Sequence, residues 1–424
     1  MIKIICSAQA YTYNAYHIVK AFYPAGEITN QVEEKASNYV EITFCDGRVI
    51  AVKKEEITVE QAAEKKAQID KRLYEKLAEE SGRTLAWGIL TGVRPTKLAM
   101  KKLEEGMEAE EFVSWFQKTY LVSEEKSRLA WEIAKREKQL LDQLDYEDGY
   151  SLYVGIPFCP TVCTYCSFSS GALTDWKNSV DAYVNALCKE LAFIGEVSKE
   201  KKLNSIYIGG GTPTSLNARQ LERILSCIDT HFSREYLLEY TVEAGRPDSI
   251  TEEKLQVIKA HKVTRISINP QTMQQKTLDV IGRKHTVEDI CKTYEMARNL
   301  GFDNINMDLI AGLPGETALD MKDTLEKVGR LQPDSLTVHS LAIKRAAKMG
   351  QEVKEGQSDA SVCNISPEIG EMIREAEKAA DDMGLKPYYL YRQKNIAGNF
   401  ENVGYAKVDK AGIYNILIME EKQS

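Results

Sequence analysis

The chain has 424 residues, with 55 Lys and Arg against 63 Asp and Glu, a net charge of −8 and a pI near 5.5. That length allows two or three domains around a large core, and the acidic balance argues against a nucleic-acid binder, which would show a basic face. No apolar run approaches the roughly 20 residues of a membrane span, the start Met1-Ile-Lys-Ile-Ile-Cys6 lacks signal-peptide features, and nine cysteines without a disulfide-style framework point to a reducing, cytoplasmic setting.

Residues 1–148 read as a small α+β domain. Ile2-Lys-Ile-Ile-Cys6 and Tyr39-Val-Glu-Ile-Thr-Phe44 are strand-like, and the turn Asp46-Gly47 followed by Arg48-Val-Ile-Ala-Val52 makes 39–52 a hairpin. Residues 60–80 and 124–144 carry apolar side chains at three- and four-residue steps on a charged background, the pattern of surface helices. Between them lies Trp87-Gly-Ile-Leu-Thr-Gly-Val-Arg-Pro-Thr-Lys97, an apolar segment ending in two cations. It is either a packed connector with solvated Arg94 and Lys97 or a wall of a substrate pocket or docking surface. Asp145-Tyr-Glu-Asp-Gly149 marks the junction with the next domain.

From 149 to 345 strand and helix patterns alternate. Strands are expected at 151–156, 203–208, 237–243, 264–268, 304–310 and 334–341. Helices are expected at 178–197, 217–231, 251–261, 272–281, 286–300 and 319–331. Alternating βα units make a parallel sheet by right-handed crossovers, and six units are too few to close an eight-stranded barrel. The expected fold class is therefore α/β, with an open, partial (β/α)6 barrel at its centre. Chemistry in such barrels sits where strands end; the cysteine loop, residues 209–214, Glu243, Gln271 and Asp308 all fall there. After about 343 the pattern loosens. The basic Ile343-Lys-Arg-Ala-Ala-Lys348 leads to a helix at 368–383 and strand-like runs Pro387-Tyr-Tyr-Leu-Tyr-Arg392 and Gly412-Ile-Tyr-Asn-Ile-Leu-Ile-Met419. Residues 346–424 read as the start of an α+β C-terminal domain.

Cys159-Pro-Thr-Val-Cys163-Thr-Tyr-Cys166 carries the strongest chemical signal. The run 151–156, ended by Pro157, is a buried strand feeding a loop. Three thiolates this close can hold three irons of a cubic cluster. They cannot complete the four ligands such a cluster normally takes, and the next cysteine, Cys188, lies inside a helical pattern. One iron is then open to a substrate. A zinc knuckle prefers two pairs of ligands, and buried free thiols have no reason to cluster at this spacing. Gly209, Gly210 and Gly211 strip every Cβ from a strand end, so backbone can approach a ligand closely. Glu243 closes an apolar run, where an unpartnered carboxylate is costly. For Glu243, Gln271, Arg283 and Asp308 the bland alternative is a satisfied structural polar group, and for Tyr153 and Tyr165 an ordinary core aromatic.

On these residues the chain resembles the radical S-adenosylmethionine (SAM) enzymes, whose signature is Cx3CxxC with an aromatic between the second and third cysteines. Tyr153-Val-Gly-Ile-Pro-Phe158, Gly209-Gly-Gly-Thr-Pro-Thr214 and Asp308-Leu-Ile-Ala-Gly-Leu-Pro-Gly-Glu316 look like the oxygen-independent coproporphyrinogen III dehydrogenase branch, in particular its HemZ-type members. The resemblance runs from Tyr153 to the C-terminus. It implies a radical SAM partial barrel and a [4Fe-4S] cluster on Cys159, Cys163 and Cys166. The open iron would be chelated by SAM, which an electron from the cluster cleaves to a 5'-deoxyadenosyl radical. It implies SAM contacts at Tyr153, Tyr165, Gly210, Gly211, Thr212, Glu243, Gln271, Arg283 and Asp308.

The implied reaction is oxidative decarboxylation of two propionates of coproporphyrinogen III, giving protoporphyrinogen IX within heme biosynthesis. Two SAM molecules become 5'-deoxyadenosine and methionine, and a reduced flavodoxin or ferredoxin supplies electrons. A tetracarboxylate needs cations, and arginine clamps carboxylates bidentately. Arg246 and Arg283 are the candidates, with Arg345 and Arg392 equally readable as solvated. Three departures stand out. Phe168 occupies the place of a fourth cysteine in enzymes acting directly on coproporphyrinogen, as in the related heme-chaperone branch. The words around Glu243 and Gln271 differ from the usual ones. Gly398-Asn-Phe-Glu-Asn-Val-Gly-Tyr405 lacks the heme-ligating histidine of those chaperones, and no histidine follows His339. The alternatives are a porphyrin-modifying or ring-opening radical SAM enzyme and a heme carrier. Relatives continue past Ser424, so the chain is expected to be a fragment lacking a substrate-covering C-terminal domain.

Overall fold

The computed structural model describes residues 1–423 apart from 25, 93, 169, 343–346, 355–367 and 393–399, with no side-chain account at 353–354. The chain forms two compact units: Met1–Ala134 with Glu352–Pro367 and Tyr391–Glu401, and Lys135–Gln351 with Glu368–Leu390 and Asn402–Ser424. The sequence boundaries at 148/149 and 345/346 follow local pattern, whereas the units follow packing. Among the described residues no helix is long and apolar enough to cross a membrane.

The first unit is built on a four-stranded sheet of β1 (Ile2–Cys6), β2 (Ile28–Val32), β3 (Asn38–Phe44) and β4 (Val49–Lys53), in the order β2-β1-β3-β4. The expected hairpin is β3–β4, with Ile42 opposite Ile50. Helices α1 (Gln9–Phe22) and α2 (Ala62–Ser81) join its core: Ile4, Val40, Ile42 and Val52 are buried with Ile18, Val19, Phe22, Leu73 and Leu77. The sequence reading missed α1 and β2. Tyr, Thr and Asn in the first half of α1 are weak helix formers, and burial of one face sets its state. Helices α3 (Thr96–Glu104), α4 (Ala109–Tyr120) and α5 (Glu124–Leu141) follow, and the division between the units falls within α5.

The segment 87–97 is anchored at Trp87. Trp87 is fully buried, its indole Nε1 donates to Glu401 Oε2 at 2.7 Å, and Glu401 pairs with buried Lys126 at 2.8 Å. Arg392 lies 5.6 Å from the Trp87 ring and donates to the carbonyls of Leu90 and Gly92. Its solvated reading therefore fails, and burial pushes its guanidinium down to about 10. Removing one partner of a buried pair typically costs about 3–5 kcal/mol, while replacing both by apolar groups can be neutral. Glu401→Ala is expected to lower the thermal midpoint clearly, and adding Lys126→Met should recover much of the loss. Calorimetry reads both, and an unchanged midpoint in the single variant would contradict the expectation.

The second unit is a curled half-barrel sheet of eight strands. Six run parallel: β5 (Gly149–Ile156), β6 (Lys202–Gly210), β7 (Glu239–Gly245), β8 (Arg265–Ile268), β9 (Ile305–Ala311) and β10 (Ser335–Ser340). The crossover helices are α6 (Val180–Val197), α7 (Ala218–His231), α8 (Glu252–Ala260), α9 (Gln275–Val280), α10 (Val287–Asn299) and α11 (Ala318–Leu331). Capping boxes at Asn217/Gln220, Thr286/Asp289 and Thr317/Asp320 start α7, α10 and α11, satisfying backbone donors that the first turn leaves open.

Two later strands extend the sheet beyond six. β11 (Lys386–Tyr391) and β12 (Asn402–Ala406) join beside β10, with Val338 opposite Val403 in an antiparallel ladder. Helix α12 (Ile369–Asp382) lies where expected. One expectation is overturned: the apolar run 412–419 is not a strand but helix α13 (Ile413–Met419). A short apolar run cannot be told from a buried helix by periodicity. Here Glu239, at the base of β7, accepts from the backbone N–H groups of Ile413 and Tyr414 at 2.7 and 3.4 Å. That carboxylate at the helix N-terminus, with Ile416 and Leu417 buried, decides for helix.

Candidate active site

The parallel strands bring their C-terminal ends to one rim, where the cysteine loop leaves β5 after Pro157. The loop is tied on several sides. Gly211 N donates to Ile156 O at 2.7 Å, Thr212 N to Phe158 O at 2.8 Å, Thr164 N to Ile281 O at 3.2 Å, and Met349 N to Thr164 O at 2.9 Å. Cys159 and Cys163 are buried and Cys166 is half-buried. Thr212 Oγ1 stands 3.5 Å from Cys159 Sγ, and Arg246 Nη1 3.6 Å from Cys163 Sγ. No group of three or more Cys, His, Asp or Glu among the described residues converges on a single metal ion.

The glycine turn after β6 is the loop's back wall. Gly210 has φ +103°, and a Cβ there would lie 3.0 Å from both Ile156 N and Ile156 O. A Cβ at Gly211 would lie 2.7 Å from Phe158 O and 3.0 Å from Cys159 Sγ. Only glycine allows this approach.

Inside the barrel, Glu243 is half-buried, and desolvation pushes its carboxyl up to about 7, with the Tyr207 hydroxyl, which donates to Oε1, pulling the other way. Burial also works to raise Asp308. His339, 3.9 Å away, and Asn306 Nδ2, donating at 2.7 Å, overcome it and hold Asp308 below its ordinary value. Two neighbouring carboxyls are thus held apart in protonation. Tyr153 is stacked on Tyr207 at 6.0 Å between ring centroids, and Tyr207 on Tyr414 of α13 at 4.5 Å.

Gln271 has φ +68°, an unusual backbone state for a residue with a side chain and a mark of functional sites. Its N–H donates to Asp308 O and its C=O accepts from Ile310 N, both at 2.9 Å, while its Oε1 is buried with no hydrogen-bond partner. A buried orphan acceptor is the kind of atom a ligand satisfies. Arg283 donates from Nη1 to Asn269 O at 2.5 Å and from Nη2 to Tyr165 Oη at 3.4 Å, leaving Nε unpartnered.

The structure thus gathers Cys159, Cys163, Cys166, Tyr165, Gly210, Gly211, Thr212, Arg246 and Arg283 around the loop, and Tyr153, Glu243, Gln271 and Asp308 along the adjoining lumen. Arg246 differs in its commitments from the carboxylate clamp expected of it: every side-chain nitrogen already has a partner in the protein. Arg392 belongs to the other unit, and Arg345 lies outside the described residues. The sequence reading missed Tyr207, His339 and Tyr414. Tyr207 had a signal, since it lies in a strand-like run two residues before Gly209. Tyr414 had none.

The radical SAM superfamily matches this chain over residues 153–328. The oxygen-independent coproporphyrinogen-III oxidase-like protein HemZ of Bacillus subtilis is 44% identical over 352 residues, 82% of this chain and 69% of that protein. The chain belongs to the HemZ-type family of radical SAM proteins. The heme chaperone HemW of Bacillus subtilis is 36% identical over 195 residues, covering 46% of this chain and 51% of its own length. The chain thus matches about half the length of that relative. Among solved structures, the radical SAM enzyme coproporphyrinogen III oxidase (HemN) of Escherichia coli matches with a TM-score of 0.52 at 24% identity, over 64% of this chain and 58% of its own, a likeness of fold. Membership implies SAM and a [4Fe-4S] cluster. The clustered thiols, the Gly211 wall that a Cβ would fill and the orphan Gln271 oxygen fit both groups.

Proposed function

We propose that this radical SAM protein acts in the cytoplasm on a tetrapyrrole, oxidatively decarboxylating coproporphyrinogen III to protoporphyrinogen IX. The observation that supports the reading is the close approach of the cysteine loop to the Gly210–Gly211 turn, where a Cβ on Gly211 would lie 3.0 Å from Cys159 Sγ. Cys159, Cys163 and Cys166 would hold the cluster. Gly210, Gly211, Thr212, Tyr153, Tyr165, Glu243, Gln271, Arg283 and Asp308 would hold SAM. When bound, cluster and SAM supply one-electron chemistry able to remove a hydrogen atom from an unactivated carbon. Arg283, with Nε unpartnered, is the cation offered to a carboxylate. A flavodoxin or ferredoxin would supply the electron.

A second reading, a heme carrier, is favoured by Phe168, 73% exposed where the coproporphyrinogen enzymes carry a fourth cysteine, and by the likeness to HemW. Strictly anaerobic incubation with SAM, reductant and either coproporphyrinogen III or heme separates them. Protoporphyrinogen and 5'-deoxyadenosine are expected. Bound, unchanged heme with untouched coproporphyrinogen would overturn the first reading.

Glu243 makes SAM affinity pH-dependent. Its carboxyl titrates near 7 in the fold against 4.5 ordinarily, so the anion that would attract the cationic end of SAM forms only as pH rises through about 7. Affinity should therefore fall as pH drops from 8 to 6. The folding term has the opposite sign: the folded state holds this proton more tightly, so its stabilising contribution is lost as pH rises from 4.5 to about 7. Calorimetric titration of SAM across this range checks the first statement, and Glu243→Gln should flatten the profile.

A further inference from the structure

Arg246 is 3% exposed and sits between the cysteine loop and Asp248. Nε and Nη2 donate to Asp248 Oδ1 and Oδ2 at 2.9 and 2.7 Å, a two-point ion pair. Nη1 faces the other way. It donates to Thr161 O at 2.7 Å and Thr161 Oγ1 at 2.9 Å, and lies 3.6 Å from Cys163 Sγ. Behind Asp248, His285 Nδ1 stands 3.6 Å from Oδ1. The arrangement is an ion pair whose buried guanidinium end lies on one thiol of the cysteine loop and whose carboxylate end, on exposed Asp248, is turned away.

Holding the loop does not require this charge. The backbone bonds of Gly211, Thr212, Thr164 and Met349 already tie it, and burying a guanidinium is a costly way to add one more. What a cation brings is electrostatic. An N–H directed at a cluster sulfur, with positive charge behind it, stabilises the reduced and more negative cluster more than the oxidised one. Hydrogen bonds to the sulfurs and local charge are among the main controls on such potentials.

We propose that Arg246 is a positioning residue that raises the reduction potential of the iron–sulfur centre by presenting Nη1 to Cys163 Sγ, with Asp248 fixing its direction and moderating its charge. This rests on the reading of Cys159, Cys163 and Cys166 as cluster ligands. It replaces substrate-carboxylate binding as the role of Arg246.

The test is the midpoint potential of the anaerobically reconstituted chain, followed by electron paramagnetic resonance, with iron content measured on each sample. Arg246→Gln should keep its iron, yet at a fixed solution potential its ratio of reduced to oxidised cluster should fall about tenfold, a negative shift of about 59 mV for one electron. Arg246→Lys, which keeps the charge, should stay closer to the parent. Asp248→Asn should shift the potential positively, because the guanidinium loses its counter-charge. That opposite sign carries the test alone if Arg246→Gln does not load. Parental potentials in the Gln and Asn variants with iron retained would overturn the proposal, as would equal iron loss in Arg246→Gln and Arg246→Lys, which would mark a loop anchor only. If the parent chain itself fails to assemble about four irons, the cluster reading fails instead.

Discussion

Cys163→Ala is expected to abolish SAM cleavage outright, and Cys159→Ala and Cys166→Ala to do the same. Each thiolate serves a different iron of the cube, so none can substitute for another. Cys163 is buried within a network of Arg246 and Thr161. The six other cysteines provide the control, of which Cys363 lies outside the described residues and the remaining five are placed by the structure. Cys6 lies in the first unit, its thiol pushed up to about 11 by burial. Cys45 is exposed, Cys188 and Cys227 contact each other between α6 and α7, and Cys291 lies on α10. Replacing any of these should leave SAM cleavage unchanged. Measured as 5'-deoxyadenosine released under dithionite, residual cleavage in Cys163→Ala would remove the basis of the assignment.

Gly210→Val and Gly211→Val should fail differently although the residues are neighbours. At Gly210 a Cβ meets the backbone of Ile156 and Gly155, and the φ of +103° is one that side chains rarely adopt. Strain of that kind is worth about 1–3 kcal/mol, or on the order of 10- to 100-fold if the ligand-binding conformation bears it. Gly210→Val should therefore weaken SAM binding by that factor and keep its iron. At Gly211 a Cβ points at Phe158 O and Cys159 Sγ, so Gly211→Val should displace a cluster thiol and lose iron as well as SAM. Isothermal titration and iron analysis on both variants distinguish the two outcomes. Equal iron loss in the two would show that the turn is a single unit rather than two surfaces.

Much of the fold was legible because it is local. Each of the six parallel strands and the helices between them is announced by consecutive residues, as in Ser205-Ile-Tyr-Ile208 ending in glycine or Thr286 and Asp289 boxing the start of α10. The run 412–419 shows where that stops. Its apolar residues are compatible with strand or helix, and the deciding group, Glu239, lies more than 170 residues earlier in the chain. The extension of the sheet to eight strands was hidden for a related reason, since which sheet edge β12 joins depends on the ladder between Val338 and Val403.

The sequence by itself determined the cysteine spacing, the glycine turn, the order of βα units and the rim to which site residues belong. These are properties of residue type and of short-range periodicity. Tertiary structure alone decided what each polar group is paired with. It turned Arg246 toward Cys163 and Asp248, set Tyr207 on Glu243, brought Tyr414 from α13 against that tyrosine, and buried Arg392 over Trp87. The physical reason is that the state of a buried charge depends on its neighbours within a few ångströms, and in a barrel those neighbours come from strands and helices far apart in the chain.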